Sequence, residues 1–355
     1  MRGRAKFLAA YPALQRFARW LWAAGLRATG VLHWAERRLR ADNAIVVLML
    51  HRVLDDETFR KTCSLPGMLV RKKTFEGLAA YLEKRFETVP LTEARAAGAT
   101  KLRMAITFDD GWADNREVAL PIAAKHGLPL TVFICPGAVD TTFPFWPEKV
   151  MALLRASGKG PSVSEAERTI EALKRRRPAE RDRWLAVVEG TVNRVKVVSE
   201  DRVLSREEIG EMAAAGVRFG SHTQTHALLT GIAPEAAQHE IRASKQAVEQ
   251  LLGGCCEAFS YPNGDWSPKI RRLVEEAGYR VACTTERGAW TTASDPLAIP
   301  RETVCEEHLV GPWGGFSPAV FGYTTYWRAW RAERRGHRAQ RICTDVPYQQ
   351  PSAAA

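Results

Sequence analysis

Short, mostly apolar runs recur along this chain, separated by stretches with apolar residues at helical spacing. Ala44–Leu50, Met104–Phe108, Leu130–Cys135, Gly216–Gly220, Phe259–Tyr261 and Val281–Thr285 read as buried strands. Between them, Phe75–Arg85 places Phe75, Leu78, Ala79 and Leu82 on one helical face. Asp114–His126 reads as a helix packed through Val118, Leu120 and Ile122 and stopped by Gly127-Leu128-Pro129. Ser205-Arg206-Glu207-Glu208 forms a capping box for a helix to Ala215. Further helices are expected over Glu240–Leu252 and Lys269–Ala277. Short strands alternating with helices over this length predict parallel pairing and an α/β barrel.

Residues 139–204 break the alternation. A helix through Leu154, a Gly/Ser/Pro-rich break at 157–164 and a charged helical stretch from Glu165 to Val188 predict a helical insertion between two barrel strands. Phe143, Phe145 and Trp146 fit core packing better than a sugar-site wall. The run Lys174–Arg177 reads first as a solvated face.

The chemistry-bearing residues stand where strands end. Asp109-Asp110-Gly111 follows the Met104–Phe108 run, and Ser221-His222-Thr223-Gln224-Thr225-His226 follows Gly216–Gly220. Neighbours on a strand face opposite ways, so two adjacent carboxylates can share a site only where the chain turns, and Gly111 permits that turn. Alone, Asp-Asp-Gly is usually a solvated turn, and His-x3-His a helix surface or core pair. Together they offer two imidazoles and one carboxylate for a divalent ion, leaving a second carboxylate free as a base.

Thr107-Phe108-Asp109-Asp110-Gly111 and His222-Thr223-Gln224-Thr225-His226, with Phe259-Ser260-Tyr261-Pro262-Asn263-Gly264, resemble the polysaccharide deacetylase family, carbohydrate esterase family 4, the NodB-like homology domain. The Phe-x-Tyr-Pro-x-Gly form is similar to the branch containing the poly-N-acetylglucosamine deacetylases. The resemblance covers about Ala44 to Leu309. It implies a distorted (β/α) barrel over 44–310, flanked by a basic amphipathic helical extension at 1–43 and an aromatic, basic extension at 311–355. It implies hydrolysis of N-acetyl groups on an amino sugar, with Asp110, His222 and His226 holding the metal and Asp109 acting as base. Zinc suits two imidazoles and a carboxylate, and Ni2+, Co2+ or Fe2+ can replace it. The oxyanion donor of the third motif falls on Asn263. His51, ending the Ala44–Leu50 run, matches a strand-then-His-Arg element of that branch and is expected to protonate the leaving amine. Trp112, Tyr261 and Pro262 are expected to contact substrate. Two departures stand out. Ser260 occupies the place of an arginine that steadies the base, and Arg301 from another strand end is expected to replace it. The late Leu-x-His motif is absent, and His51 fills that role. A deformylase or amidase acting on another acylated sugar, a carbohydrate-binding relative without activity, and a peripheral-membrane scaffold with a relict barrel are the rivals.

Charge adds a partner. The 355 residues carry a formal net charge of +11, which calls for something anionic. No nucleic-acid-binding signature accompanies it, so nucleic acid is not expected. In residues 1–43 nine arginines and lysines face only Glu36 and Asp42, and Leu14, Phe17, Leu21 and Trp22 fall near helical spacing. That suits either a helix on an anionic membrane surface or one packed on the barrel with its arginines in water. After Gly311, Trp313, Phe316, Phe321, Tyr323, Tyr326, Trp327 and Trp330 precede a run of arginines, with the same two readings. No apolar run is long enough for a secretory signal core or a span. Seven cysteines without a Cys-x-x-Cys pair favour a reducing compartment. The expected location is cytoplasmic or peripheral on the inner membrane, against the family's extracytoplasmic habit, and the expected substrate is an N-acetylated glycan or a lipid-linked sugar.

Overall fold

A computed structural model describes residues 2–93, 99–141, 145–156, 163–191 and 201–334, with side chains from residue 13 onward. Helices α1 (Arg2–Ala28) and α2 (Val31–Ala41) lead into β1 (Ile45–Leu50). Then come β2 (Arg52–Leu54), α3 (Asp56–Lys61), β3 (Leu69–Arg71), α4 (Lys72–Arg85), β4 (Glu87–Thr88), β5 (Arg103–Phe108), α5 (Leu120–Lys125) and β6 (Leu130–Ile134). Three helices fill the predicted insertion: α6 (Trp146–Ala156), α7 (Val163–Lys174) and α8 (Pro178–Glu189). The chain continues with α9 (Arg206–Ala214), β7 (Arg218–Ser221), α10 (Pro234–Leu252), β8 (Ala258–Ser260), α11 (Pro268–Glu276), β9 (Val281–Cys283), β10 (Glu302–Thr303), α12 (Glu306–Leu309) and α13 (Pro318–Thr324).

The main sheet is parallel throughout, in the order β10-β1-β5-β6-β7-β8-β9, with β4 paired to the start of β5. Ile299 bridges Cys283 on β9, and the next few residues pair with β1, so the segment from Ile299 to Thr303 closes the sheet into a distorted (β/α) barrel. Side-chain alternation then sorts the layers. Ile45, Val47, Ala105, Phe133, Ala258, Val281, Cys283 and Ile299 point into the barrel and pack together. Val46, Leu48, Leu50, Met104, Ile106, Phe108, Val132 and Phe259 point outward and meet the helices. The inward column at the C-terminal ends of the strands is polar: Thr107, Asp109, Ser260 and Arg301, all buried.

Elements depart from the sequence reading at identifiable residues. The helix expected over Asp114–His126 opens as a widened π turn over Asn115–Ala119, because Asp114 and Asn115 are engaged elsewhere through their side chains. The stretch Glu165–Val188 is two helices. Pro178 begins the second and holds Arg177 extended at φ −60, ψ 145. The capping box forms as expected, with Glu208 N–H donating to Ser205 Oγ (3.2 Å) and Ser205 N–H to the Glu208 carboxylate (2.9 Å). The small parallel pair β2–β3 has no counterpart in the sequence reading. Phe143, the break at 157–162 and the arginines beyond 334 lie outside the described residues.

Candidate active site

Two polar assemblies meet at the C-terminal ends of β1, β5, β7 and β8. Inside the barrel mouth, Arg301 grips Asp109 with both arms of its guanidinium: Nη1 donates to Oδ1 and Nη2 to Oδ2, each at 2.7 Å. The other donors of Arg301 are spent on the Thr284 carbonyl (2.9 Å), Thr107 Oγ1 (3.1 Å) and Ser260 Oγ (2.9 Å). A planar fork matched to a carboxylate is what arginine supplies and lysine does not. Burial alone would push the Asp109 carboxyl up. The Arg301 charge, helped by His222 and His51, outweighs it and holds Asp109 well below the usual carboxylate range.

One residue on, the chain turns. Asp110 at φ 74 and Gly111 at φ 71 are both left-handed, which swings the Asp110 carboxylate out of the barrel and away from Asp109. A Cβ on Gly111 would meet Ile134 Cγ2 at 2.7 Å, so the turn also needs glycine for space. Asp110 Oδ1 lies 3.6 Å from His222 Nε2 and 3.5 Å from His226 Nε2. The ligand atoms of these three residues all fall within 4.8 Å of one another. His222 Nδ1 bonds the Ser260 carbonyl at 2.7 Å, which puts its proton on Nδ1 and leaves Nε2 as a lone-pair donor toward the cluster. Burial pushes the His226 imidazole down to about 4, so it is neutral at physiological pH, the form that ligates metals. Asp110 Oδ1 is buried and without a hydrogen-bond partner, an acceptor that a cation would satisfy. The backbone is strained around this point: Thr223 at φ 63 and His226 at φ 59 join Asp110 among the left-handed non-glycine residues. Each such residue costs on the order of 1–3 kcal/mol and persists where surrounding structure fixes it, a pattern concentrated at functional sites.

The family profile described as polysaccharide deacetylase matches residues 97–282, more than half of the chain. The chain belongs to the polysaccharide deacetylase family. It is 23% identical over 282 residues to the Bacillus subtilis protein YxkH, described as a polysaccharide deacetylase, covering 78% of this chain and 74% of that one. Its fold matches the Streptococcus pyogenes deacetylase PplD, solved with acetate, at a TM-score of 0.52 and 17% identity, over 78% of this chain and 99% of that one. It also matches IcaB from Ammonifex degensii at a TM-score of 0.50 and 18% identity, over 74% and 91%.

In this member of the family the remaining sequence-predicted residues divide. His51 follows β1 at the register where Asp109 follows β5, because Leu50 pairs with Phe108 and its carbonyl accepts from Asp109 N–H at 2.9 Å. His51 Nδ1 is buried without a partner, and its carbonyl accepts from Asn115 Nδ2 at 2.9 Å. Asn263, at φ 57, sits in the turn after β8. Its side chain accepts from Lys174 Nζ and donates to Asp265 Oδ2, each at 2.9 Å. The expected substrate contacts of Tyr261 and Trp112 do not hold. Tyr261 is fully buried, with its hydroxyl on the Leu297 carbonyl at 2.9 Å and its ring on Phe259, so it is a core residue. Pro262 is buried beside it. Trp112 is also fully buried, and its indole N–H donates to Asp110 Oδ2 at 3.1 Å, so it orients the Asp110 carboxylate.

Sequence reasoning missed the support beneath Asp110. Arg52 is buried with Nε on Asp114 Oδ2 at 2.8 Å and Nη1 on Asp201, Thr62 and Ser64. Its guanidinium lies 4.2 Å over the Trp112 ring. Arg52 thus ties the turn at Asp114 and the end of the helical insertion at Asp201 to the tryptophan that holds Asp110. Phe145, from the start of the insertion, packs 5.2 Å from the His226 ring and 5.4 Å from Trp112. Glu148 of α6 is buried close by, and burial, with the Asp110 charge, pushes its carboxyl up to about 8. The only advance signal was the adjacency of Arg52 to His51.

Proposed function

We propose that this chain is a metal-dependent N-deacetylase that hydrolyses N-acetyl groups on an amino sugar of a polysaccharide or lipid-linked glycan. One observation carries the reading: Asp110, His222 and His226 turn their donor atoms to one point beside a second, separately clamped carboxylate, Asp109. Three converging neutral or anionic donors, one of them an orphaned buried oxygen, fit a divalent cation with an open position. Zinc is the expected ion, with nickel, cobalt and iron as substitutes. When bound, such an ion supplies Lewis acidity that polarises an acyl oxygen and brings a coordinated water's pKa to about 7.

The chain's own residues supply the rest. Arg301 keeps Asp109 ionised and aligned, so it is ready to take the proton of the attacking water. The Asn263 backbone N–H donates to the acyl oxygen as negative charge develops there. His51 delivers a proton to the sugar nitrogen, which leaves only as a neutral amine. Phe145 closes one wall against water beside His226.

Among the described residues no helix is long and apolar enough to cross a membrane. The described cysteines are all free, which supports a reducing, inner-face location. The net charge of +11 supports an anionic surface or phosphate-bearing carrier as the setting of the substrate. The test is acetate release from a panel of short N-acetylated glycans and lipid-linked amino sugars, with and without chelator. Acetate that appears only with metal present supports the reading; formate release instead, or no acyl release from any of them, removes it.

A further inference from the structure

The first helix is inverted relative to the usual surface helix. On the described part of α1, Ala23 is buried, Arg16 and Arg19 turn half-buried toward the protein, and Arg19 pairs with Glu307 at 2.5 Å. The outward stripe is apolar instead. Leu14 is 61% exposed, Leu21 57%, Trp22 60% and Phe17 44%. The stripe is extended by Trp313, which is 82% exposed at the tip of the turn closed by Gly311 and Gly315 and packs edge-on against Trp20 at 5.4 Å. Single exposed apolar residues need no explanation, but a contiguous set of this kind marks a surface that is covered in use.

Charge says what covers it. None of the 27 residues of α1 is acidic, while Arg2, Arg4 and Lys6 precede the stripe and Arg27 ends it. An apolar face bracketed by cations, with tryptophans at its margin, matches the boundary between anionic headgroups and acyl chains. A second copy of the chain would bring the same cations against one another.

Position gives the orientation. Val304 N–H donates to the Met49 carbonyl at 2.8 Å, so the chain leaving β10 starts level with the C-terminal end of β1, next to His51. Glu307 and the Trp313 turn follow directly, and Arg19 and Trp20 pack on them. The apolar stripe therefore borders the end of the barrel that carries Asp109, Asp110, His222 and His226.

We propose that α1 and the Trp313 turn dock this protein on an anionic bilayer with the barrel mouth held at the membrane surface, so that a membrane-borne glycan presents its N-acetyl groups to the site. The docking itself is independent of the chemistry; only its purpose rests on the deacetylase reading. The experiment measures sedimentation of the full chain with vesicles of phosphatidylcholine alone or mixed with phosphatidylglycerol. Quenching of tryptophan fluorescence by brominated acyl chains is recorded alongside. Binding is expected with the anionic vesicles only and to weaken with salt. Trp22→Ser and Trp313→Ser are each expected to weaken it by about tenfold or more, since each removes one buried apolar anchor, and Trp313→Phe to remove much of the quenching. Acetate release from a soluble short glycan should be unchanged in all three, because these side chains lie outside the site. The proposal is overturned if anionic vesicles do not bind, or if binding survives the serine substitutions. It is also overturned if those substitutions instead dissolve a dimer. Absence of acetate release from the native protein, with its vesicle binding intact, would sink the deacetylase reading and leave the docking standing.

Discussion

Removing Arg301 separates the two duties assigned to it. In the native protein Arg301 and Asp109 are a wholly buried, bidentate pair. Arg301→Met fills the space but leaves Asp109 buried and unpaired. Breaking such a pair from one side destabilises by about 3–5 kcal/mol. The pH dependence carries a sign. Native Asp109 has a depressed pKa, so its contribution is present above the unfolded value of about 4 and is lost as pH falls toward the folded one. In the variant, burial, the largest influence on this carboxyl, is opposed only by His222 and His51, so the carboxyl rises. Its stability is then greatest in acid and declines as pH rises. The gap between native and variant should widen from pH 4 to pH 7, read by urea denaturation of both proteins at each pH. Catalysis should show the same cause independently. Loss of an adjacent positive charge raises a carboxyl pKa by about 1–3 units, so the acidic limb of the kcat/KM profile should move up by that much. Arg301→Lys keeps the charge without the fork and should fall between. An Arg301→Met protein with native stability and an unmoved acidic limb would refute the clamp.

Three more outcomes follow from the site. His51→Gln should lower kcat by about 10²–10⁴ with metal content unchanged, measured by acetate release beside elemental analysis; lost metal would make His51 a ligand instead. Burial raises Glu148 to about 8, so its contribution to stability is complete below the unfolded carboxylate pKa and lost as pH rises through about 8; Glu148→Gln should therefore gain on the native protein in thermal unfolding as pH increases from 5 to 9. Arg52→Met leaves Asp114 and Asp201 buried without their cation and should cost about 3–5 kcal/mol, and its metal dissociation, followed by chelator competition, should be faster because Trp112 and Asp110 lose their support.

Much of this architecture was legible because its cause is local. An all-apolar run such as Ile45–Leu50 is a barrel strand by composition, and a turn of Asp-Asp-Gly at a strand end announces a site before any partner is known. Arg301 could be anticipated because Ser260 stands where a base-steadying arginine was expected, and the fold brings both to Asp109. What escaped depends on contacts between distant segments. Nothing near Asp201 in sequence says that it meets Arg52 across the whole insertion. Tyr261 and Trp112 depart from expectation for the same reason: an aromatic beside a motif faces substrate or an apolar cluster according to strand alternation and turn geometry, and here Tyr261 packs in the layer under the helices and Trp112 in a separate cluster with Phe145 and Cys135. The first helix was foreseen as amphipathic, but which face meets the protein was decided by Glu307, nearly the length of the chain away.

Elemental analysis paired with acetate release for the native protein, Asp109→Asn and Asp110→Asn tests the metal and base roles together. One divalent ion per chain is expected in the native protein and in Asp109→Asn, acetate release only in the native protein, and loss of both ion and activity in Asp110→Asn. An active native protein without a stoichiometric ion, or an Asp109→Asn protein that still releases acetate at the native rate, would contradict those roles.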